Sequence, residues 1–337
     1  MKKKRFVVSL LGVLLVLTSL VTGCSRNHSH QTTITNVSYD PTRELYEEYN
    51  TIFEEYYKRT YHKSVKVIQS HGGSGSQARS VVEGCNADVV TLALEHDITL
   101  IERTGLIEPD WKKEFKGDSS PYTSTIVFLV RKGNEKQIKD WDDLVKDNVE
   151  VITPDPKSSG GACWNFLAAW SYAKKHCQTD SEIKTFMKKL YANVSVMDSG
   201  ARGSTTTFVE NGKGDVLIAW ENEAIASMQN YPDKYEMITP SISILAQPSV
   251  AIVDDNAKAN KTEEDSKAYL EYLYSDEAQR IIGKHGYRPW NQSILQEFSD
   301  TYDLQVELTS ITDYGGWDKA YETFFEDGAV FDQIYQS

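Results

Sequence analysis

The stretch Val149-Glu150-Val151-Ile152-Thr153-Pro154-Asp155-Pro156-Lys157-Ser158-Ser159-Gly160-Gly161-Ala162 decides the fold. Val149–Thr153 has the β-branched character of a strand, Lys157–Gly161 is a turn of small residues, and Ala162–Lys175 reads as a helix. The same order recurs on both sides. Val65–Ile68 leads through His71-Gly72-Gly73-Ser74-Gly75-Ser76 into a short helix at Gln77–Glu83. Val194–Met197 leads through Ser199–Gly203 into Ser204–Asn211. Near the start, Thr35–Ser38 leads into Asp40, a candidate N-cap, and Pro41, suited to a first helical position. The helix beyond carries Leu45, Tyr49, Ile52, Phe53 and Tyr56 on one face. Strands at Asp88–Ala93, Thr123–Val130, Asp215–Trp220, Met237–Thr239 and Ser249–Val253 extend the pattern, with helices at Ile98–Thr104, Glu263–Tyr274, Asp276–Lys284 and Trp317–Phe325. Asp254–Asp265 reads as a surface loop. Alternating strands and helices predict α/β architecture with largely parallel sheets. At 337 residues the chain is too long for one core, so two lobes are expected.

Hydrophobic residues make up 40% and charged residues 25%, an ordinary globular composition. The net charge is −13. Setting aside Lys2, Lys3, Lys4 and Arg5 leaves 32 basic against 49 acidic residues, or −17. Such a chain repels nucleic acid, and no basic stripe tracks a phosphate backbone. Those four residues open a basic segment that runs into the apolar stretch Phe6–Val21 and closes on Gly23-Cys24. This is the pattern of an export signal over residues 1–23. Its end resembles a bacterial lipobox, with Cys24 as the lipidated first residue and residues 24–33 as a polar tether. An uncleaved signal anchor is the other reading, and both place the rest of the chain outside the cytoplasm. His28 and His30 lie in the tether and read as solvated linker. Of the remaining cysteines, Cys163 and Cys177 fall fourteen residues apart on one expected helix. That is about 21 Å, too far for a disulfide, so free and mostly buried thiols are expected.

Four places set small or capping residues directly before a helix: Asp40-Pro41, Gly72-Gly73-Ser74-Gly75, Ser159-Gly160-Gly161 and Gly200-Ala201-Arg202-Gly203-Ser204. In α/β sheets such turns lie at the carboxyl ends of strands, where ligands bind. A helix start offers unpaired N–H groups and the positive end of its dipole. Several starts converging on one point would hold an anion, and each alone would simply reverse the chain. Trp220 ends a strand, where its indole N–H could enter a cleft or the ring could serve as core. Gly72-Gly73-Ser74-Gly75-Ser76 misses the G-x-S-x-G nucleophile elbow at its fifth position, and His71 beside it reads as a turn residue. No P-loop and no H-E-x-x-H occurs, so no cofactor or metal is expected.

Several longer motifs resemble the bacterial extracytoplasmic sulfate-binding proteins. Asn36-Val37-Ser38-Tyr39-Asp40-Pro41-Thr42-Arg43-Glu44 is similar to the first signature of that family, and Asp155-Pro156-Lys157-Ser158-Ser159-Gly160-Gly161-Ala162 to the second. Gln69–Gly75, Pro121–Gly133, Asp198–Thr205, Asp215–Glu223 and Tyr287-Arg288-Pro289 add to the likeness. It implies a two-lobe periplasmic-binding-protein-like fold of type II, with the ligand in the interlobe cleft. Residues 34–122 and about 248–337 would form lobe 1, and 123–247 lobe 2. The resemblance implies that Asp40, Ser74, Gly160, Gly161 and Ala201 donate backbone N–H groups to sulfate. Ser159 would donate its hydroxyl and Trp220 its indole N–H. It further implies a monomer that captures sulfate or thiosulfate, is not an enzyme, and hands the anion to a membrane ABC transporter. Cys163 stands where the family commonly has Arg, Asp155 where Asn is common and Ser76 where Lys is frequent. Binding is expected to survive, because the family's donors are neutral.

A site of N–H and O–H groups alone matches the needs of a dianion that accepts hydrogen bonds and offers none. Hydrogen phosphate carries a proton that such a site leaves unpaired. The Asp40 carboxylate is therefore expected to cap local backbone, with only its N–H facing the anion.

Overall fold

The computed structural model describes residues 31–335. The signal segment, Cys24, His28 and His30 lie outside the described residues. Two mixed sheets organise the chain. The first has the order β11-β3-β1-β2, formed by β1 (Thr32–Tyr39), β2 (Val65–Gly72), β3 (Val89–Leu92) and β11 (Ser249–Ile252). The second has the order β7-β6-β8-β5-β9, formed by β5 (Ile126–Arg131), β6 (Val151–Pro154), β7 (Val194–Asp198), β8 (Val216–Trp220) and β9 (Tyr235–Ile238). Two-residue strands β4 (Tyr122–Thr123) and β12 (Arg288–Pro289) pair with each other. So do β10 (Ile242–Ile244) and β13 (Glu307–Thr309).

Each sheet is parallel at its centre and antiparallel where the chain passes between sheets. β1 pairs in parallel with β2 and β3, and β6 in parallel with β7 and β8. β11 runs against β3, and β5 runs against both β8 and β9. The sheets are therefore less parallel than the sequence pattern predicts. A strand that crosses directly from one sheet enters the other against its neighbours, whereas parallel neighbours need a helical crossover. The long strand expected at Thr123–Val130 is broken for the same reason. At the break, Ser124 and Ala246 exchange two backbone hydrogen bonds of 2.9 Å, tying the outgoing and returning crossings together.

Side chains on the central strands alternate between cores. Val216, Ile218 and Trp220 of β8 face the large core with Ile126, Phe128 and Val130 of β5. Leu217 and Ala219 face a separate cluster with Val127, Leu129 and Phe208. The period of two, with both faces apolar, is what a strand covered on each side by helices requires. Alternation delivers Trp220, the last residue of β8, onto the large-core face.

Elsewhere the structure departs from the sequence reading. Helices fill Asp180–Ala192, Glu221–Asn230 and Asp254–Asn260, the last in place of the expected loop. β2 runs through His71 and Gly72, so the turn before the next helix is shorter than expected. Tyr39 precedes the 3-10 turn Asp40–Thr42, and no side-chain cap hydrogen bond forms there, so Asp40 is not an N-cap. Cys85, Cys163 and Cys177 are free, but only Cys163 is fully buried, and Cys177 lies just past the end of the Gly160–His176 helix. The terminal helix Val330–Tyr335 packs on Asp180–Ala192, with Phe331 against Tyr191.

Thr179 and Glu182 form a reciprocal capping box at the start of Asp180–Ala192. Thr179→Ala should lower unfolding free energy by about 1 kcal/mol. Thermal or urea unfolding would read this, with ligand affinity unchanged because no residue of that helix lines the cavity at the strand ends.

Candidate functional site

Five strands end at one place. β1 and β2 of the first sheet deliver Asp40 and Gly73-Ser74, and β6, β7 and β8 of the second deliver Ser159, Gly200-Ala201 and Trp220. Three of these turns open helices of useful length: Ser74–Val82, Gly160–His176 and Ala201–Val209, of 9, 17 and 9 residues. The first intrahelical bonds at two of these starts come from Gln77 N to Gly73 O and from Ser204 N to Gly200 O. The N–H groups of Ser74 and Ala201, and those of Gly160 and Gly161, precede such bonds and have no helical acceptor.

Glycine lets the turns meet. A Cβ on Gly73 would fall 2.7 Å from Ser158 O and 2.9 Å from Ser199 O, backbone atoms of two second-sheet turns. A Cβ on Gly160 would fall 2.8 Å from Leu94 Cγ and 3.1 Å from Ser74 Cβ. On Gly161 it would collide with Trp220 Nε1, and on Gly200 with Asp40 Oδ2. Between the turns lies a small cavity lined by Tyr39, Asp40, Pro41, Gly72, Gly73, Ser74, Ser159, Gly161, Ala201 and Trp220. Six of the seven residues singled out from the sequence line it. Gly160 does not, and sits one position along, packed against Ser74.

Each group's bonds show what it has to offer. Trp220 is 1% exposed, and its Nε1 has no hydrogen-bond partner among the described residues. Its ring lies 5.5 Å from that of Tyr39. Ser159 is buried, and its hydroxyl makes no cap bond to the helix it precedes. The Ser74 hydroxyl is occupied. It donates to Asp97 Oδ2 at 2.5 Å and accepts from Ala93 N at 2.9 Å, leaving only its backbone N–H. Among the described residues no Lys, Arg or His lines the cavity. His71 points its Nδ1 at Tyr39 O, 3.5 Å away, and burial lowers its pKa to about 4, so it is neutral. Among the described residues neither Ser74 nor Ser159 bonds to a histidine, so the nucleophile-elbow reading has no base.

Asp40 differs from the expectation: its carboxylate makes no hydrogen bond to backbone among the described residues, and its Oδ2 fills the space left by the missing Cβ of Gly200, while the residue itself lines the cavity. Burial raises its pKa against the opposing pull of Arg43 and Arg202.

A web of charge surrounds the cavity and was not anticipated from the sequence. Arg202 grips Glu44 through two bonds of 2.6 and 2.7 Å, joining the Ala201–Val209 helix to the Arg43–Tyr61 helix. It also bonds Glu223 at 2.9 Å, and Thr205 donates to the same carboxylate at 2.6 Å. Arg288 holds the fully buried Glu221 at 2.7 and 2.8 Å. Lys157 reaches Phe325 O at 2.9 Å and Asp332 at 3.0 Å, pinning the Ser159 turn to the C-terminal segment. Residues far apart in sequence form these pairs, so no local motif marks them.

The chain is similar to known proteins over most of its length. Residues 34–288 match the model of the bacterial extracellular solute-binding proteins. The sulfate-binding protein of Escherichia coli K12 is 54% identical over 301 residues, covering 89% of this chain and 92% of that one. The thiosulfate-binding protein of Pseudomonas aeruginosa is 43% identical over 303 residues, covering 89% and 91%. The solved sulfate-binding protein SubI of Mycobacterium tuberculosis H37Rv superposes with a TM-score of 0.80 at 31% identity, over 88% of this chain and 100% of that one.

Burial raises the Asp97 pKa from 3.8 to about 6, outweighing the bond from Ser74. A carboxyl with a raised folded-state pKa binds its proton more tightly when folded, so stability falls as pH rises from about 4 to about 6. Asp97→Asn keeps an acceptor for Ser74 without the charge. Its unfolding free energy relative to the parent should rise across that window, by an amount on the order of 2 kcal/mol. Urea titrations at pH 4 and pH 7 would measure it.

Proposed function

Because this chain belongs to the bacterial extracellular solute-binding protein family, we propose that it captures sulfate, with thiosulfate as the alternative ligand, and delivers it to a membrane ABC transporter. The observation that carries this reading is the buried, unpartnered Trp220 Nε1 on the wall of a cavity built from helix starts and free of cations. Leaving such a donor without an acceptor costs roughly 1–3 kcal/mol, and a bound anion removes that cost.

Sulfate would sit between the two lobes, residues 34–122 with about 248–337 on one side and 123–247 on the other. It would accept bonds from the N–H groups of Asp40, Ser74, Gly160, Gly161 and Ala201, the Ser159 hydroxyl and the Trp220 indole. Bonds to a charged acceptor are about twice as strong as neutral ones, and three helix dipoles point the same way. Hinge closure over the ligand then presents one face of both lobes to the transporter. The protein works outside the cytoplasm as a monomer, held to the membrane through a lipid on Cys24. The basic Lys2–Arg5 and apolar Phe6–Val21 support that part of the reading. Cys24→Ala should release the protein from the membrane fraction on cell fractionation.

Selectivity turns on Asp40, the one acidic residue lining the cavity among the described residues. Sulfate gains nothing from a carboxylate, whereas the proton of hydrogen phosphate can bond to it. Calorimetric titration of protein stripped of anion by unfolding and refolding should show 1:1 sulfate binding, with phosphate far weaker. Asp40→Asn should widen the sulfate-to-phosphate affinity ratio roughly threefold or more, because only phosphate loses a charge-assisted partner. A ratio that does not move would show that the carboxylate faces away from the ligand. Phosphate binding without sulfate binding would overturn the ligand assignment and keep the fold.

A further inference from the structure

Trp220 ends β8 and Glu221 begins the next helix, so whatever fixes Glu221 also fixes the peptide that carries the indole. Glu221 is 0% exposed and Arg288 5% exposed. The guanidinium meets the carboxylate through Nε at 2.7 Å and Nη2 at 2.8 Å, and Nη2 also donates to Asp303 O at 3.1 Å. Its far side lies over the Tyr302 ring, 5.6 Å from the centroid. Arg288 belongs to β12, which pairs with β4 beside the crossings between the two sheets. The next residue, Asn222, donates to Pro41 O at 3.3 Å and to the Tyr287 hydroxyl at 3.1 Å. The Trp220 peptide is therefore bolted to the crossing segment and to the Asp40-Pro41 turn.

Stability alone is a poor reason for this pair. Two fully buried charges contribute little net stability compared with apolar residues of the same shape. A bidentate fork instead supplies geometry, which a lysine in the same place would not. We propose that Arg288 is a positioning residue: through Glu221 it holds the Trp220 indole N–H at the angle the bound anion requires. The inference rests on the proposed sulfate site.

The test is a double-mutant cycle of Arg288→Lys and Trp220→Phe, read by sulfate calorimetry and by thermal unfolding. Trp220→Phe alone should weaken sulfate binding roughly 10- to 100-fold, the range for losing one bond to a charged acceptor. Arg288→Lys alone should weaken it on the order of 10-fold. In the Trp220→Phe background the same change should cost less than about twofold in affinity, while its drop in Tm persists unchanged. A structural role alone would lower Tm and leave affinity intact, or weaken sulfate equally in both backgrounds; either result overturns the inference. If Trp220→Phe leaves affinity unchanged, the sulfate site itself is wrong and the inference falls with it. Should Arg288→Lys not fold, Glu221→Gln keeps the shape of the pair and runs the same cycle.

Discussion

A dianion taken out of water must find a hydrogen bond for every lone pair it turns inward, because burial in a low-dielectric site magnifies each one left unmet. In the proposed site this chain would meet that constraint with dipoles. The proposed donors around the cavity are first N–H groups of helices, a 3-10 turn, one hydroxyl and one indole. The Ser74 hydroxyl is engaged by Asp97 and Ala93 N, so its N–H is held still. Gly73, Gly161 and Gly200 lack the side chains that would keep the turns apart. A net charge of −13 is no obstacle, since screening over about 10 Å leaves the local dipoles to decide.

The cations stand one layer back and join elements. Arg202 spans from the Ala201–Val209 helix to Glu44, Lys157 ties its turn to the C-terminal segment, and Arg288 anchors Glu221. Two sit beside proposed donors in sequence, Arg202 after Ala201 and Lys157 two before Ser159, and the third, Arg288, holds Glu221, which follows Trp220. The charged network thus fixes the donors without entering the cavity.

Much of this was legible in the residues. Strand, small-residue turn and helix recur in an order that marks carboxyl ends of strands, and the site lies there. The apolar run Val216–Trp220 gave the strand, while the face of its last residue, cleft or core, stayed open until the sheet was seen. What escaped was long-range or compositionally plain. The Asp180–Ala192 helix is marked by the Thr179–Glu182 capping box and by Ile183, Met187, Leu190 and Tyr191 at helical spacing, both overlooked in the reading, and Asp254–Asn260 looked like loop because seven of the twelve residues in Asp254–Asp265 are charged. Antiparallel entries at β5 and β11 follow from topology, not from local pattern. Asp40 misled because the residue type favours capping, whereas here the proline after it fixes a 3-10 turn and frees the carboxylate to lean toward Gly200.

The most direct test of the central claim is the structure of the protein with selenate, a heavier isostere of sulfate located by its anomalous signal. The anion should lie in the cavity between Ser74, Ser159, Gly161, Ala201 and Trp220, within about 3 Å of the indole Nε1 and with no lysine or arginine nitrogen in hydrogen-bond range. An anion bound instead to the Arg202 guanidinium, or to any cationic side chain with Trp220 Nε1 still unpartnered, would contradict the view that neutral dipoles hold the ligand.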